Sequence, residues 1–155
     1  MKGQIEIGYL TSIILGGMIY IMFRSNSLLM FDWFEQFGIL DFIIKSRNLI
    51  NPIAHLVPRW ILYSVPDGLW LFSYICFMFV IWKNSVTTKN IIWISLLPIY
   101  AFYTEFGQFF GFISGTFDLL DLIAYGLGLI LPFIIFKNKI NFNCNFKFNN
   151  YEKLS

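Results

Sequence analysis

Apolar residues fall in four long runs along this chain: Ile7 to Phe23, Ile61 to Trp82, Ile91 to Ile113 and Leu119 to Phe136. Each run approaches the roughly 20 residues that carry a helix, rising about 1.5 Å per residue, across a hydrocarbon core about 30 Å thick. The pattern predicts an all-α, polytopic membrane protein, a bundle of four transmembrane helices within residues 1–137. Pro66 and Asp67 stand near the start of the second run, leaving Gly68 to Trp82 as its wholly apolar part. The third run holds Pro98, Glu105 and Gln108 and closes at Ser114-Gly115-Thr116, a helix stop before a fresh start at Asp118. Runs three and four are therefore expected to form a tight hairpin.

The connections differ in character. From Arg24 to Trp60, apolar residues such as Phe31, Trp33, Phe34, Phe37, Phe42 and Ile43 interleave with acidic and basic ones. That mixture predicts an amphipathic segment lying at the membrane interface, either covering the bundle or gathering lipid. From Asn138 to Ser155 the chain repeats Asn, Phe and Lys without periodicity, so residues 138–155 are expected to form a disordered tail.

Composition strengthens the membrane assignment: of 155 residues 57% are hydrophobic and only 13% charged, about half the charge of an ordinary soluble domain. A net charge of +2 gives no basic surface for nucleic acid. Basic residues instead report topology, because those near helix ends favour the cytoplasmic side. Lys2, Lys83, Lys89, Lys137, Lys139, Lys147 and Lys153 fall on the N-terminus, the second connection and the tail, against Arg24, Lys45, Arg47 and Arg59 on the first connection. Seven against four places both termini in the cytoplasm and the protein in the inner (plasma) membrane. The first run lacks a small-x-small cleavage site after Phe23 and is expected to stay as an anchor. Cys76, in an apolar run, and Cys144, in the polar tail, are expected to remain free thiols.

Carboxylates are costly inside a membrane, which singles out Glu105, Asp118 and Asp121. Glu105 and Gln108, three residues apart, share a helix face, and Asp118 and Asp121 repeat that spacing across the hairpin. The two pairs are expected to converge in one polar pocket at the outer surface, with Asp67 at its mouth and Arg59 as the nearest cation. Each acid also has a plainer reading: Asp118 and Asp67 can cap a first helical turn, and Glu105 can fasten helices as a protonated or paired group. Gly107, Gly111 and Gly115 recur at every fourth position, a ridge that would let another helix, or a second copy of the chain, approach closely. His55 has no second ligand at metal spacing, and no cofactor or nucleotide motif is present, so no metal or cofactor is expected.

The arrangement Glu105-Phe-Gly-Gln108, then Gly115-Thr116-Phe117-Asp118-Leu-Leu-Asp121, then Gly128 in an apolar helix resembles the VanZ-like family of small membrane proteins. The likeness is one of pattern and covers the last third of the chain before the tail. It implies four or five spans and a place in the cell envelope, in a family whose founding member is associated with resistance to a glycopeptide antibiotic. The family carries an Arg in the connecting loop and an Asn four residues after the Asp. Here Gly115 and Thr116 fall near the first position, and Tyr125 replaces the second. The favoured expectation is a non-enzymatic protein whose site binds a lipid headgroup or cell-wall-related ligand. Two alternatives are a membrane enzyme with Glu105 and Asp121 as acid-base pair, which would need two carboxylates in different environments, and a small proton-coupled transporter. The run Ser64-Val65-Pro66-Asp67-Gly68-Leu69-Trp70 is a separate local signature with no role assigned by its residues alone.

Overall fold

A computed structural model describes residues 3–143. Its elements in chain order are helices α1 (Gly3–Phe23), α2 (Leu29–Gln36), α3 (Leu40–Ala54) and α4 (Arg59–Ile81), strand β1 (Ser85–Thr87), helices α5 (Ile91–Phe109) and α6 (Leu119–Ile135), and strand β2 (Asn141–Asn143). The all-helical class expected from the hydropathy pattern is present. Two helices, α1 and α4, are long and apolar enough to cross a membrane, while α6, with 17 residues, is apolar but shorter.

Helix α4 occupies the middle of the bundle, packed along α1 on one side and α6 on the other, with α5 against α4 and α6. Small residues make those crossings close. A Cβ on Gly16 would stand 2.8 Å from Trp70 Cδ1, and one on Gly128 only 2.4 Å from the Gly68 carbonyl oxygen. The Ser73 hydroxyl adds a bond of 2.9 Å to the Tyr9 carbonyl, tying α4 to α1. At one end of the bundle Ile5, Ile75, Cys76, Phe79, Val86, Ile94, Phe136 and Ile140 form the core. Cys76 is a buried free thiol; Cys144 lies outside the described residues. Away from this core the helices turn apolar side chains outward, Ile7, Ile14 and Met18 on α1, Ile92 and Ile99 on α5, Ile130 and Ile134 on α6. Exposed apolar side chains in such number mark a surface that a partner or a membrane can cover.

The core end is closed by a short clasp. Strands β1 and β2 pair in parallel, Ser85 opposite Asn141 and Thr87 opposite Asn143. The buried Asn90 side chain orders the turn, donating to the Ser85 carbonyl and accepting from the Thr87 amide, each at 2.7 Å. The tail thus begins in paired backbone, where disorder was expected from Asn138 onward; residues 144–155 lie outside the described part.

Two expected boundaries are corrected. The third run does not remain helical to Ile113: α5 ends at Phe109, because Gly111 turns left-handed at φ +76° and two backbone bonds close the helix, Gly111 N to Gln108 O at 3.1 Å and Phe112 N to Gly107 O at 2.8 Å. The expected glycine ridge goes with it. Gly111 and Gly115 lie beyond the helix, a Cβ on Gly111 would meet nothing within 4 Å, and Gly107 faces Ile113 of its own loop. The connection between the first two long helices is not one segment but two helices, separated where Gly38, at φ +68°, ends α2 in the same manner. Leu29, Trp33, Phe37, Phe42, Leu49 and Ile53 are exposed on this pair, and α3 has no buried residue. Arg47 anchors it. Its guanidinium donates to the Ile21 and Arg24 carbonyls at the end of α1, the second at 2.6 Å, and lies 5.0 Å from the Phe31 ring. Burial draws Arg47 below its ordinary pKa, yet a guanidinium stays charged and so complements the negative end of the α1 dipole.

Candidate ligand-binding cleft

At the end of the bundle opposite the clasp, a cavity of about 520 Å³ is lined by Arg24, Arg59, Trp60, Tyr63, Thr116, Asp118, Leu120 and Asp121. Four stretches of chain supply it: the residue after α1, the first turns of α4, the loop after α5 and the first turn of α6. Asp118 is the N-cap of α6, its Oδ1 accepting the Leu120 amide at 2.9 Å, which satisfies one of the orphan donors of a helix start. This is the plainer role allowed by the sequence, and it also fixes the side chain at the cleft wall. Asp121, one turn on, has a buried Oδ1 with no hydrogen-bond partner among the described residues.

The residues expected at the site fall into two groups. Asp118, Asp121 and Arg59 line the cavity. Glu105 does not: it is 5% exposed, and its Oε2 accepts the Asp118 amide at 3.4 Å, so it holds the loop that carries Asp118. Gln108 does not line the cavity either. It packs under Gly115, where a Cβ would come within 2.7 Å of the Gln108 side chain, and so supports the turn. Of the residues expected to converge, Asp121 lines the cavity, Glu105 stands behind the Asp118 loop within electrostatic range of Asp121, and Gln108 lies under the turn. Asp67 reaches the cleft through Arg24, whose Nη2 stands 3.7 Å from the Asp67 carboxylate and donates to the Tyr63 carbonyl at 3.1 Å. Asp67, Asp121 and Glu105 are within electrostatic range of one another, and Tyr125 is within range of all three.

Arg24 is the cation that Asp67 meets, where Arg59 had been expected to serve the acids. Its guanidinium lies 5.1 Å from both the Tyr20 and Tyr63 rings, and its Nε has no partner among the described residues. One signal in the sequence points to it: Arg24 directly follows the first apolar run, on the side where Asp67 opens the second. Arg59 is exposed at the rim. The run Ser64 to Trp70 also acquires a role, since Ser64 is buried beside the cleft, Asp67 pairs with Arg24, Gly68 meets Ala124 and Trp70 fills the space at Gly16. Among the described residues no three His, Cys, Asp or Glu side chains are placed to hold a metal ion. Comparison of the chain with family models, curated proteins and solved structures finds no match.

Proposed function

We infer that this chain is a VanZ-like, four-span protein of the plasma membrane, both termini cytoplasmic, whose outward cleft binds a lipid headgroup. The observation that carries this reading is the cleft itself. Two cations and two aspartates meet in one cavity, with Asp121 Oδ1 and Arg24 Nε unpartnered among the described residues, at the end of a bundle whose flanks are apolar and exposed. Buried polar groups without partners are costly, and a polar ligand would relieve that cost. Glu105 is buried behind the Asp118 loop and does not line the cavity, which favours binding over acid-base chemistry, since a base must reach the proton it removes. Four crossings are supported by the clasp, which holds the second connection and the tail at one end, and by the Lys139 ammonium, which donates to Gln4 of α1 at that same end.

Phospholipid retained after delipidation in detergent tests the reading. Wild-type protein should keep about one phospholipid per chain, and the pair Arg59→Gln with Asp121→Asn should lose it while its melting temperature stays within a few degrees. Equal phospholipid content in both proteins would defeat the proposal.

A further inference from the structure

Three cavities follow one seam of the molecule. The cleft shares Trp60 and Leu120 with a second cavity of about 230 Å³, where Ser64, Val65, Ile123, Ala124 and Leu127 complete the wall. Val65, Ala124 and Leu127 in turn belong to a third, of about 150 Å³, which continues between Gly68 and Gly128 to Phe72 and Leu131. The seam exists because α4 and α6 cross almost backbone to backbone there. A Cβ on either glycine would collide with the other helix, and the furrow runs beside this close crossing, walled by the flanking side chains of Val65, Leu127 and Leu131. Its walls are apolar apart from Ser64, which is 2% exposed and whose hydroxyl has no partner among the described residues. A charged cleft opening into an apolar furrow has the shape and polarity of an amphiphile.

Charge narrows the headgroup. Arg24 is engaged with Asp67 and the Tyr63 carbonyl, so Arg59 is the cation exposed to an incoming anion, while Asp118 and Asp121 present carboxylates beside it. One anion site next to a stronger cation site suits a zwitterion. A primary ammonium donates up to three hydrogen bonds and can satisfy the Asp121 carboxylate, whose buried Oδ1 has no partner among the described residues; a quaternary ammonium has none to give, and a glycerol headgroup brings no positive charge.

We propose that cleft and furrow together hold one glycerophospholipid with a primary-ammonium headgroup. Its ammonium rests on Asp121 and Asp118, its phosphodiester on Arg59, and one acyl chain lies along the furrow between α4 and α6. The Ser64 hydroxyl, roughly 7 Å along α4 from its start at about 1.5 Å per residue, offers a donor where the ester linkage follows the phosphate. This assignment rests on the lipid-binding reading above and adds the headgroup class and the chain path.

The full chain in nanodiscs of equal phosphatidylethanolamine, phosphatidylcholine and phosphatidylglycerol, with released complexes weighed by native mass spectrometry, tests it. Phosphatidylethanolamine should be retained about tenfold over phosphatidylglycerol, the ratio one charge-assisted hydrogen bond supplies. Asp121→Asn should remove that preference, and Leu127→Trp, which fills the furrow from an exposed position, should lower retention of every diacyl lipid about tenfold. Equal retention of the three lipids, or a preference untouched by Asp121→Asn, overturns the headgroup assignment. Unchanged retention in a folded Leu127→Trp protein overturns the chain path. Either result leaves the lipid-binding reading standing if Arg59→Gln with Asp121→Asn still strips the protein of lipid; if that double variant keeps its lipid, both fall together.

Discussion

Lys83 and Asn84 hold φ values of +52° and +61°, which non-glycine side chains resist. They do so because α4 must stop: Lys83 N bonds Val80 O at 3.2 Å and Asn84 N bonds Phe79 O at 2.7 Å, the same closure that Gly38 and Gly111 provide for α2 and α5. Lys83→Gly removes the strain and keeps both bonds, so it should stabilise the protein by about 1 kcal/mol, read as a rise in melting temperature in detergent. A fall would show that the Lys83 side chain contributes more than its backbone costs. At this scale the sequence disclosed the type of residue that matters and not its partner. Asp118 was readable as a cap because capping is local, whereas Arg24 finds Tyr63 and Asp67 only when α1 crosses α4. Chemistry at positions far apart in the chain depends on that crossing, which hydropathy does not encode.

Helix bounds lay within four residues of the expected ones in all four apolar runs, Gly3 rather than Ile7 opening α1 and Phe109 rather than Ile113 closing α5, since a long apolar run is a strong local signal. The third was overrun because Phe110, Phe112 and Ile113 are as apolar as the helix before them, and only the conformation of Gly111 marks the stop. The spacing of Gly107, Gly111 and Gly115 suggested the packing ridge, yet the close approach belongs to Gly16, Gly68 and Gly128, scattered over three helices. Gly126 and Gly128 separate those cases within α6. A Cβ on Gly126 meets nothing within 4 Å, whereas on Gly128 it collides with the Gly68 carbonyl. Gly126→Ala should therefore be neutral or stabilising by up to about 1 kcal/mol, from helix propensity. Gly128→Val, which must separate α4 from α6, should cost roughly 3 kcal/mol or more and widen the furrow. Thermal unfolding of the two variants in one detergent compares them directly; equal melting temperatures would mean that the crossing is loose.

Across the whole molecule the two ends have opposite characters. The clasp end carries Lys83, Lys89, Lys137 and Lys139, and the cleft end gathers Arg24, Arg59, Asp67, Asp118 and Asp121. In a Cys144→Ser background, an impermeant thiol reagent added to intact cells should label a cysteine placed at Thr116 and spare one placed at Lys89; the reverse pattern would invert the topology. The clasp also has a consequence for how the protein is made. Strand β1 emerges from the ribosome well before β2, and its partner does not exist until α5 and α6 have both been synthesised and have brought the chain back to the same side. Parallel pairing cannot be completed by a local hairpin. Ile140, which reaches the core at this end, therefore joins it only after the last helix has been made. The clasp acts as a latch on an otherwise assembled bundle, and a ribosome that stalls within α6 would leave the backbone of Ser85–Thr87 open to pairing with another chain.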